Sequence, residues 1–231
     1  MSKYGELVYM VLDEVKGKSD DFSYTEDHII FLLDKYRAFI LKQRYSDIKK
    51  QIPDGNFQTI QLELVQVPAI SGECCEGGVY LRSLEKIPYL IQIATPKVYP
   101  VDYFQGEITY INKDRMKYVG NNRYLKNIIY CSIAPDGYLY FKSSNPQFVY
   151  LERVNITGVF QDAKVVAEKI NCNCETTQSC DIMDIDFPIE ESLISPLIEL
   201  VVKDLLNATY RPADGTNNAS DNLSGLSVKV K

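Results

Sequence analysis

Tryptophan is missing from this 231-residue sequence, and histidine occurs once, as His28. A single imidazole leaves little of the usual apparatus for acid–base catalysis near neutral pH. The sequence also lacks a G-x-x-x-x-G-K-[ST] phosphate loop, a G-x-G-x-x-G turn, a G-x-S-x-G elbow and an H-E-x-x-H zinc helix. We therefore predict that the protein is not an enzyme, with no catalytic residue and no cofactor.

Long apolar runs are missing as well. No stretch of about 18 apolar residues occurs, and the N-terminus lacks a basic segment followed by an apolar one. This predicts a chain that is neither exported nor membrane-spanning, with no membrane partner. Basic residues are outnumbered, 25 to 31, which gives a net charge of -6. Because duplex binding uses clustered Lys and Arg, nucleic acid is not predicted as the main partner.

Metal ligation has weak support. Cys172, Cys174 and Cys180 lie close together in the sequence, and Cys74 and Cys75 could add ligands from another loop. Closed zinc sites take four ligands with paired spacings such as C-x-x-C, which this sequence does not contain. Without an export signal, the cysteines are predicted to be reduced thiols. No metal site is predicted.

An acidic cluster precedes the last predicted helix. It consists of Asp181, Asp184, Asp186, Glu190 and Glu191. A divalent cation could bind there, but the glycine and ligand spacing of a calcium loop is absent. Acids near a helix N-terminus are stabilised by the helix dipole without a ligand. A solvated approach to the helix is therefore the preferred interpretation.

The strongest local signal is a long helix over residues 23–45. Ser23 and Glu26 match the S-x-x-E capping box. Apolar side chains then recur at helical spacing, in a stripe that consists of Ile29, Ile30, Phe31, Leu32, Leu33, Tyr36, Ala38, Phe39, Ile40 and Leu41. The wetted side is assigned to Asp27, Asp34, Lys35, Lys42 and Arg44. A helix about 30 Å long with so wide an apolar face needs more than one neighbour.

Two further helices are predicted to pack on this one. Residues 6–15 carry apolar groups at i, i+3 and i+4 and end near Gly17, so the first two helices should form a hairpin. Ser195 and Pro196 suit the N-cap and the first position of a helix that continues to residue 210. A weaker short helix is predicted over residues 161–170. His28, in the first turn of the long helix, is predicted to cap or to pack.

From residue 57 the apolar period changes to two, which indicates β-structure. Strands are predicted over residues 57–68, 89–93, 106–111, 128–133, 137–142 and 150–160, in one antiparallel unit. Cys131, in the middle of one of them, is predicted to be a buried, inert thiol. The Ala-Pro-Asp-Gly sequence at 134–137 predicts a hairpin turn. Residues 69–83 and 97–105 are predicted to be long loops.

These elements predict an α+β fold, in which an α-helical core made of the N-terminal hairpin and the C-terminal helix carries an inserted antiparallel β domain. The predicted division is residues 1–56, 57–160, 161–210 and an extended C-terminal arm, 211–231. The arm is too polar to form a core alone. Its predicted interface residues, of the kind a disordered arm docks with, are Arg211, Pro212, Leu223, Leu226 and Val228. A frayed terminus without a role is the alternative.

Tyrosine is abundant, with 17 residues. A ring with a hydroxyl suits partly wet interfaces, but tyrosine is also common in strands. The sequence leaves both interpretations open.

Several long strings resemble the virion structural proteins of crAss-like bacteriophages. They are FSYTEDHIIFLLDKYRAFILKQRYSDIKK (22–50), VPAISGE (67–73), YFQGEITYINKDRMKYVGNNRYLKNIIY (103–130), YLYFKSSNPQFVYLE (138–152), PLIELVVKDLLNATYRP (196–212) and NNASDNLS (217–224). Together they extend over nearly the whole chain. The resemblance implies a component of the connector and tail of a short-tailed virion, beneath the portal.

The predicted layout is similar to the adaptor, or tail tubular protein A, class of short-tailed phages, in which a helical core carries an inserted β domain. That similarity implies a homo-oligomeric ring of twelve copies that contacts the portal protein and the next tail ring or tail hub protein. Such a ring joins the capsid to the tail, lines the DNA channel and passes genomic DNA without sequence-specific binding. It belongs to the virion and is made and assembled in the host bacterial cytoplasm.

Two alternatives remain at this point. One is a β-type ligand- or carbohydrate-binding module of the tail, which a deep pocket would mark. The other is a metal-dependent hydrolase that uses the acidic cluster at residues 181–191, which bound metal would mark.

Overall fold

The structure, a computed structural model, describes residues 2–17, 24–47, 50–68, 79–101, 106–119, 123–125, 127–172 and 181–208. The helices are α1 (Tyr4–Lys16), α2 (Glu26–Arg44), α3 (Lys113–Met116), α4 (Ala163–Cys172) and α5 (Ile194–Ala208). The strands are β1 (Gln58–Pro68), β2 (Val79–Ser83), β3 (Lys97–Pro100), β4 (Thr109–Tyr110), β5 (Tyr130–Ile133), β6 (Leu139–Lys142) and β7 (Arg153–Gly158). The predicted α+β class is confirmed.

Both N-terminal helices form where the apolar periodicity places them, but α2 begins differently from the prediction. α1 follows Lys3, whose backbone N–H donates to the Glu6 carboxylate at 3.1 Å. α2 begins at Glu26, directly after Thr25. The capping box expected from Ser23 and Glu26 is therefore wrong, because Glu26 is the first residue of the helix and the motif needs it third. Ser23 itself lies outside the described residues.

α5 closes the helical core. It continues directly from a 3₁₀ turn at Glu191–Leu193. The N-cap expected at Ser195 is wrong, since that residue already lies in the first helical turn; Pro196 is in the same turn, where a missing N–H is tolerated. α1, α2 and α5 pack into one hydrophobic cluster, to which α5 contributes Leu197, Ile198, Val201, Val202 and Leu205. Within the described ranges, no helix is long and apolar enough to cross a membrane.

The seven strands form one sheet in the order β3-β7-β1-β2-β6-β5-β4. Its neighbours are antiparallel except β4 and β5, which are parallel, so the prediction of an antiparallel unit is wrong at that edge. β2 and β3 lie in segments that were predicted to be loops. β3 is a four-residue edge strand that ends in Pro100, and a proline is tolerated at such an edge.

Residues 89–93, predicted to be a strand, form one isolated bridge, between Leu90 and Phe160. The Ile91 N–H donates to the Val159 carbonyl at 2.8 Å. The chain turns at residues 92–93. A strand cannot continue through that turn.

β1 is long enough to pair with two strands along its length. Its residues 58–63 pair with β7, and its residues 64–68 pair with β2. Ile60 and Leu62 are buried, while Gln61 and Glu63 are exposed, which is the predicted alternation. The buried side chains join a second cluster with residues of the other strands. The two clusters meet just after β7, since Val159 belongs to the helical one and Phe160 to the sheet.

The predicted turn between β5 and β6 is confirmed, and it supplies a test. Gly137 has a φ of 85°, and its N–H donates to the Ala134 carbonyl at 2.9 Å. We expect Gly137→Ala to lower the free energy of unfolding by about 1 kcal/mol, because a Cβ disfavours positive φ. In a chain of this size that corresponds to a fall of about 2–4 °C in the melting temperature.

Gly106→Ala is the matched control for this substitution, because a Cβ at Gly106 meets no atom of the described residues within 4 Å. We expect its melting temperature to equal that of the wild type. Equal melting temperatures for both variants, measured by calorimetry, would mean that the turn does not require a glycine at residue 137.

Candidate functional site

A buried arginine joins the helical core to the segments that lead into and out of the sheet. Arg37, on α2, is 0% exposed. Its Nε donates to the Pro188 carbonyl at 2.6 Å, its Nη1 to the Phe160 carbonyl at 2.8 Å and its Nη2 to the Asn56 carbonyl at 3.3 Å. These three acceptors precede α5, follow β7 and precede β1. One side chain therefore binds both segments that connect the helices to the sheet and the segment between α4 and α5.

A buried carboxylate lies one turn away on the same helix. Asp34 accepts the Tyr4 hydroxyl at 2.9 Å and the Lys164 backbone N–H at 3.0 Å. Burial raises the pKa of Asp34 to about 6, although both hydrogen bonds and the charge of Arg37 oppose that rise. The Tyr4 ring also packs edge to face on Phe187, with 4.8 Å between centroids. Asp34 thus ties α1 and the start of α4 to α2.

Arg37, Asp34 and the groups they bind are called the Arg37 junction below. Sequence reasoning missed this junction. Asp34 was assigned to the wetted side of the helix, which is wrong, since it is 6% exposed. Arg37 was assigned no role. A signal was present: Leu33, Arg37 and Leu41 lie four residues apart, so they share one helical face, and both leucines are 0% exposed. A charged residue at the centre of an apolar face indicates a buried, hydrogen-bonded role.

The acidic cluster is used within the fold. Glu190 accepts the Tyr45 hydroxyl at 2.8 Å and pairs with Arg44 at 3.3 Å. Asp181 accepts the Met183 backbone N–H at 3.1 Å, and Asp184 pairs with Lys3 at 3.4 Å. These contacts give several of the acids structural partners.

Metal ligands are not assembled in the part of the chain that the structure describes, which contains no group of three His, Cys, Asp or Glu placed to bind an ion. Cys74, Cys75, Cys174 and Cys180 lie outside that part, and so does the side chain of Cys172.

Cys131 is buried, whereas His28 is exposed and stacks on a neighbouring ring. Cys131 is buried as predicted, and burial raises the pKa of its thiol, which disfavours the reactive thiolate. His28 stacks on Tyr24, with 5.4 Å between ring centroids. The Tyr24 hydroxyl in turn donates to the Leu205 carbonyl of α5 at 3.3 Å. His28 is therefore part of the contact between the start of α2 and the end of α5.

Large apolar side chains are exposed both on the helices and on the sheet side of the protein. On the sheet side they are Leu84, Leu125 and five tyrosines, Tyr89, Tyr99, Tyr118, Tyr124 and Tyr150. On α2 they are Phe31 and Phe39, at 62% and 55% exposure. Sequence reasoning placed both phenylalanines in the apolar stripe that packs on neighbouring helices, and that is wrong. Exposed aromatic rings are typical of surfaces that other chains cover.

The predicted interface residues of the arm, Arg211, Pro212, Leu223, Leu226 and Val228, lie outside the described residues.

The binding-module alternative predicts a deep pocket in the β domain. A half-open surface pocket of about 390 Å³ lies there, lined by Thr95, Tyr110, Ile111, Asn112 and Arg115. None of these residues takes part in the Arg37 junction.

Comparison with known proteins gives the family. The family described as Phage tail ring protein 2 matches residues 6–223. The chain is also 61% identical over 220 residues to Ring protein 2 of Bacteroides phage crAss001, which covers 95% of this chain and 97% of that protein. A match of this length includes the helices, the sheet and the junction between them. The chain therefore belongs to the phage tail ring protein 2 family and is a structural component of the tail of a crAss-like phage virion.

Proposed function

We propose that twelve copies of this chain form a closed ring beneath the portal, which joins the capsid to the next tail ring or the tail hub. The observation that carries this placement is the layout of the chain. α1, α2 and α5, from its two ends, share one hydrophobic cluster, and the intervening strands form a separate one. That is the layout of the adaptor class, with residues 1–56 and 161–210 as the core and residues 57–160 as the insertion.

The bore of this ring passes genomic DNA during ejection without sequence-specific binding. The net charge of -6 supports this part of the proposal, because a channel that repels phosphates does not hold the DNA as it moves. Copies are made and assembled in the host bacterial cytoplasm. The role is mechanical, so the proposal assigns no catalytic residue.

Head-to-tail packing of identical copies closes a ring when each copy presents two complementary surfaces. A rigid subunit is needed, because a change in angle between the helical core and the sheet would change the curvature of the ring. The three carbonyls bound by Arg37 and the two donors bound by Asp34 supply that rigidity. The 211–231 arm then reaches a neighbouring copy or the portal.

Native mass tests the placement. We expect mass photometry to find particles of twelve copies when the purified chain is mixed with the phage portal, and those particles to include the portal. A chain that remains a monomer with and without the portal would contradict the adaptor role.

Removing the arm is the next test. We expect a chain truncated after residue 210 to unfold at the wild-type temperature, because a polar terminal segment adds little to a core. We also expect it to lose the portal-bound particle, since the apolar anchors Leu223, Leu226 and Val228 are removed. Leu223→Ser/Leu226→Ser/Val228→Ser in the full chain is the matched variant, with the same expected loss. Unchanged portal binding by both would contradict the role of the arm.

A further inference from the structure

Two exposed helix faces of this chain have opposite charge and the same spacing. The acidic stripe, on α1, consists of Glu6, Tyr9, Met10 and Asp13, all exposed. The basic stripe, on α2, consists of Phe31, Lys35, Phe39 and Lys42, also all exposed. We propose that the acidic stripe of one copy binds the basic stripe of the next copy and forms the lateral contact of the ring.

The apolar content of both stripes favours burial. Tyr9 and Met10 are 59% and 51% exposed, and Phe31 and Phe39 are 62% and 55% exposed. Each stripe therefore has two large apolar side chains on a solvent-facing helix surface, which is typical of the centre of a protein–protein contact.

Charge complementarity selects a second copy as the partner. Along α1 the exposed charged residues are Glu6, Asp13, Glu14 and Lys16, so acids outnumber the base. Beyond Phe31, every exposed charged residue of α2 is basic: Lys35, Lys42 and Arg44. Opposed faces of unlike charge attract each other, whereas two copies of one stripe repel.

The charges also match in position. Glu6 and Asp13 are seven residues apart, and so are Lys35 and Lys42, which places each pair about 10 Å apart along its helix. Tyr9 and Met10 lie between the two acids, and Phe39 lies between the two lysines. When the helices lie side by side, in either direction, two ion pairs can form around an apolar centre.

One copy cannot make this contact with itself. The buried faces of α1 and α2 contribute to the same hydrophobic cluster. The acidic and basic stripes lie on the other faces of these two helices, away from that cluster. Lys35 has an internal partner, Asp204, at a long 3.9 Å, and both side chains stay largely wet. The contact is head to tail, as ring closure requires, when the two stripes of one copy bind two different neighbours. It rests on the proposed self-assembly.

Charge exchange tests the contact with four samples of the full chain, each mixed with the phage portal: wild type, Glu6→Lys/Asp13→Lys, Lys35→Glu/Lys42→Glu, and a 1:1 mixture of the two variants. In each variant alone, like charges face each other. We expect the protein concentration at which half of the chain is assembled, measured by sedimentation velocity, to rise more than about tenfold. In the mixture every contact between unlike variants is again complementary. We expect alternating copies to restore assembly to within about threefold of the wild type.

The mixture also shows that both variants are folded, since misfolded chains would not assemble. A wild type that forms rings while both variants assemble equally well overturns the stripe pairing and leaves the proposed ring intact. Loss of assembly without recovery in the mixture, by variants that unfold at the wild-type temperature, overturns the pairing too. A wild type that never exceeds two copies, with or without the portal, contradicts the ring itself.

Zero-length cross-linking of carboxylates to lysines gives an independent readout. In a mixture of isotope-labelled and unlabelled wild type, we expect mixed-isotope peptides that join Lys35 or Lys42 to Glu6 or Asp13. The Lys35–Asp204 pair, 3.9 Å apart within one copy, is the internal control and should give single-isotope peptides. Inter-copy cross-links confined to other residues would place the lateral contact elsewhere.

Discussion

Arg37→Met is expected to lower the free energy of unfolding by about 3–5 kcal/mol. The substitution leaves the carbonyls of Asn56, Phe160 and Pro188 without their buried donor, and it removes the cation nearest to the buried Asp34 carboxylate. Burial lowers the pKa of Arg37 to about 10, so the guanidinium is charged at neutral pH. Methionine fills part of the volume but supplies no donor.

Urea denaturation of the purified chain measures this loss. Arg44→Met is the matched control, because Arg44 lies on the same helix with a side chain that is 52% exposed and pairs with Glu190 at 3.3 Å. A partly exposed ion pair contributes about 1 kcal/mol or less. We therefore expect a difference of more than about 2 kcal/mol between the two variants. Equal losses would contradict the role of Arg37 in holding the junction.

Arg37→Lys separates the charge from its geometry. Lysine keeps the cation but cannot direct three donors at carbonyls in three separate segments. We expect a loss between those of the methionine variant and the wild type. Because these segments lose part of their hydrogen bonding to the guanidinium, the lysine variant should also be cleaved faster by protease after residue 56 and before residue 188. A wild-type cleavage pattern would mean that the three segments stay in place without the three guanidinium hydrogen bonds.

The helices could be predicted from the sequence because their apolar periodicity is local. Residues 6–15 and 23–45 have apolar groups at helical spacing, and the observed ends differ by a few residues. Two strands, β2 and β3, could not be predicted. They have five and four residues and lie within the segments 69–83 and 97–105, which the sequence indicates as long loops. Their place depends on pairing with strands distant in the chain, as β3 with β7.

The junction depends on tertiary structure in the same way. Asp34 reads as a polar residue on a wetted face because its donors, Tyr4 and Lys164, are 30 and 130 residues away. Phe31 and Phe39 are predicted to pack in the core because they are apolar, but both are exposed. Apolar residues occur all round α2, so the sequence does not show which side its neighbours leave open.

Asp34 is expected to make the protein more stable as the pH falls from about 7 to about 4. Burial raises the pKa of Asp34 from 3.8 to about 6. Between these values the folded chain holds a proton that the unfolded chain has released, so protonation favours the folded state. A shift of about 2 pKa units corresponds to about 3 kcal/mol. This contribution is fully present below pH 3.8 and is lost as the pH rises through 6.

The groups that face Asp34 are the Tyr4 hydroxyl from α1, Arg37 from α2, Asp162 and the Lys164 backbone N–H. Asp162 raises the pKa and the others lower it, which leaves desolvation as the dominant cause. Carbon-13 NMR of the Asp34 carboxyl should therefore give a titration midpoint near 6. A midpoint at or below the ordinary value would mean that the hydrogen bonds and Arg37 outweigh burial.

Asp34→Asn isolates the contribution of this group to stability. The difference in unfolding free energy between wild type and variant should move by about 3 kcal/mol between pH 7 and pH 4, in favour of the wild type at the lower pH. Asp136→Asn is the control with the opposite sign. Burial of Asp136 is outweighed by hydrogen bonds from Tyr140 and the Tyr138 backbone N–H, which lower its pKa, so its contribution is lost below pH 4. A parallel response of both variants between pH 7 and pH 4 would show that Asp34 is solvated in the folded chain and that α1 and α4 are not held to α2 through it.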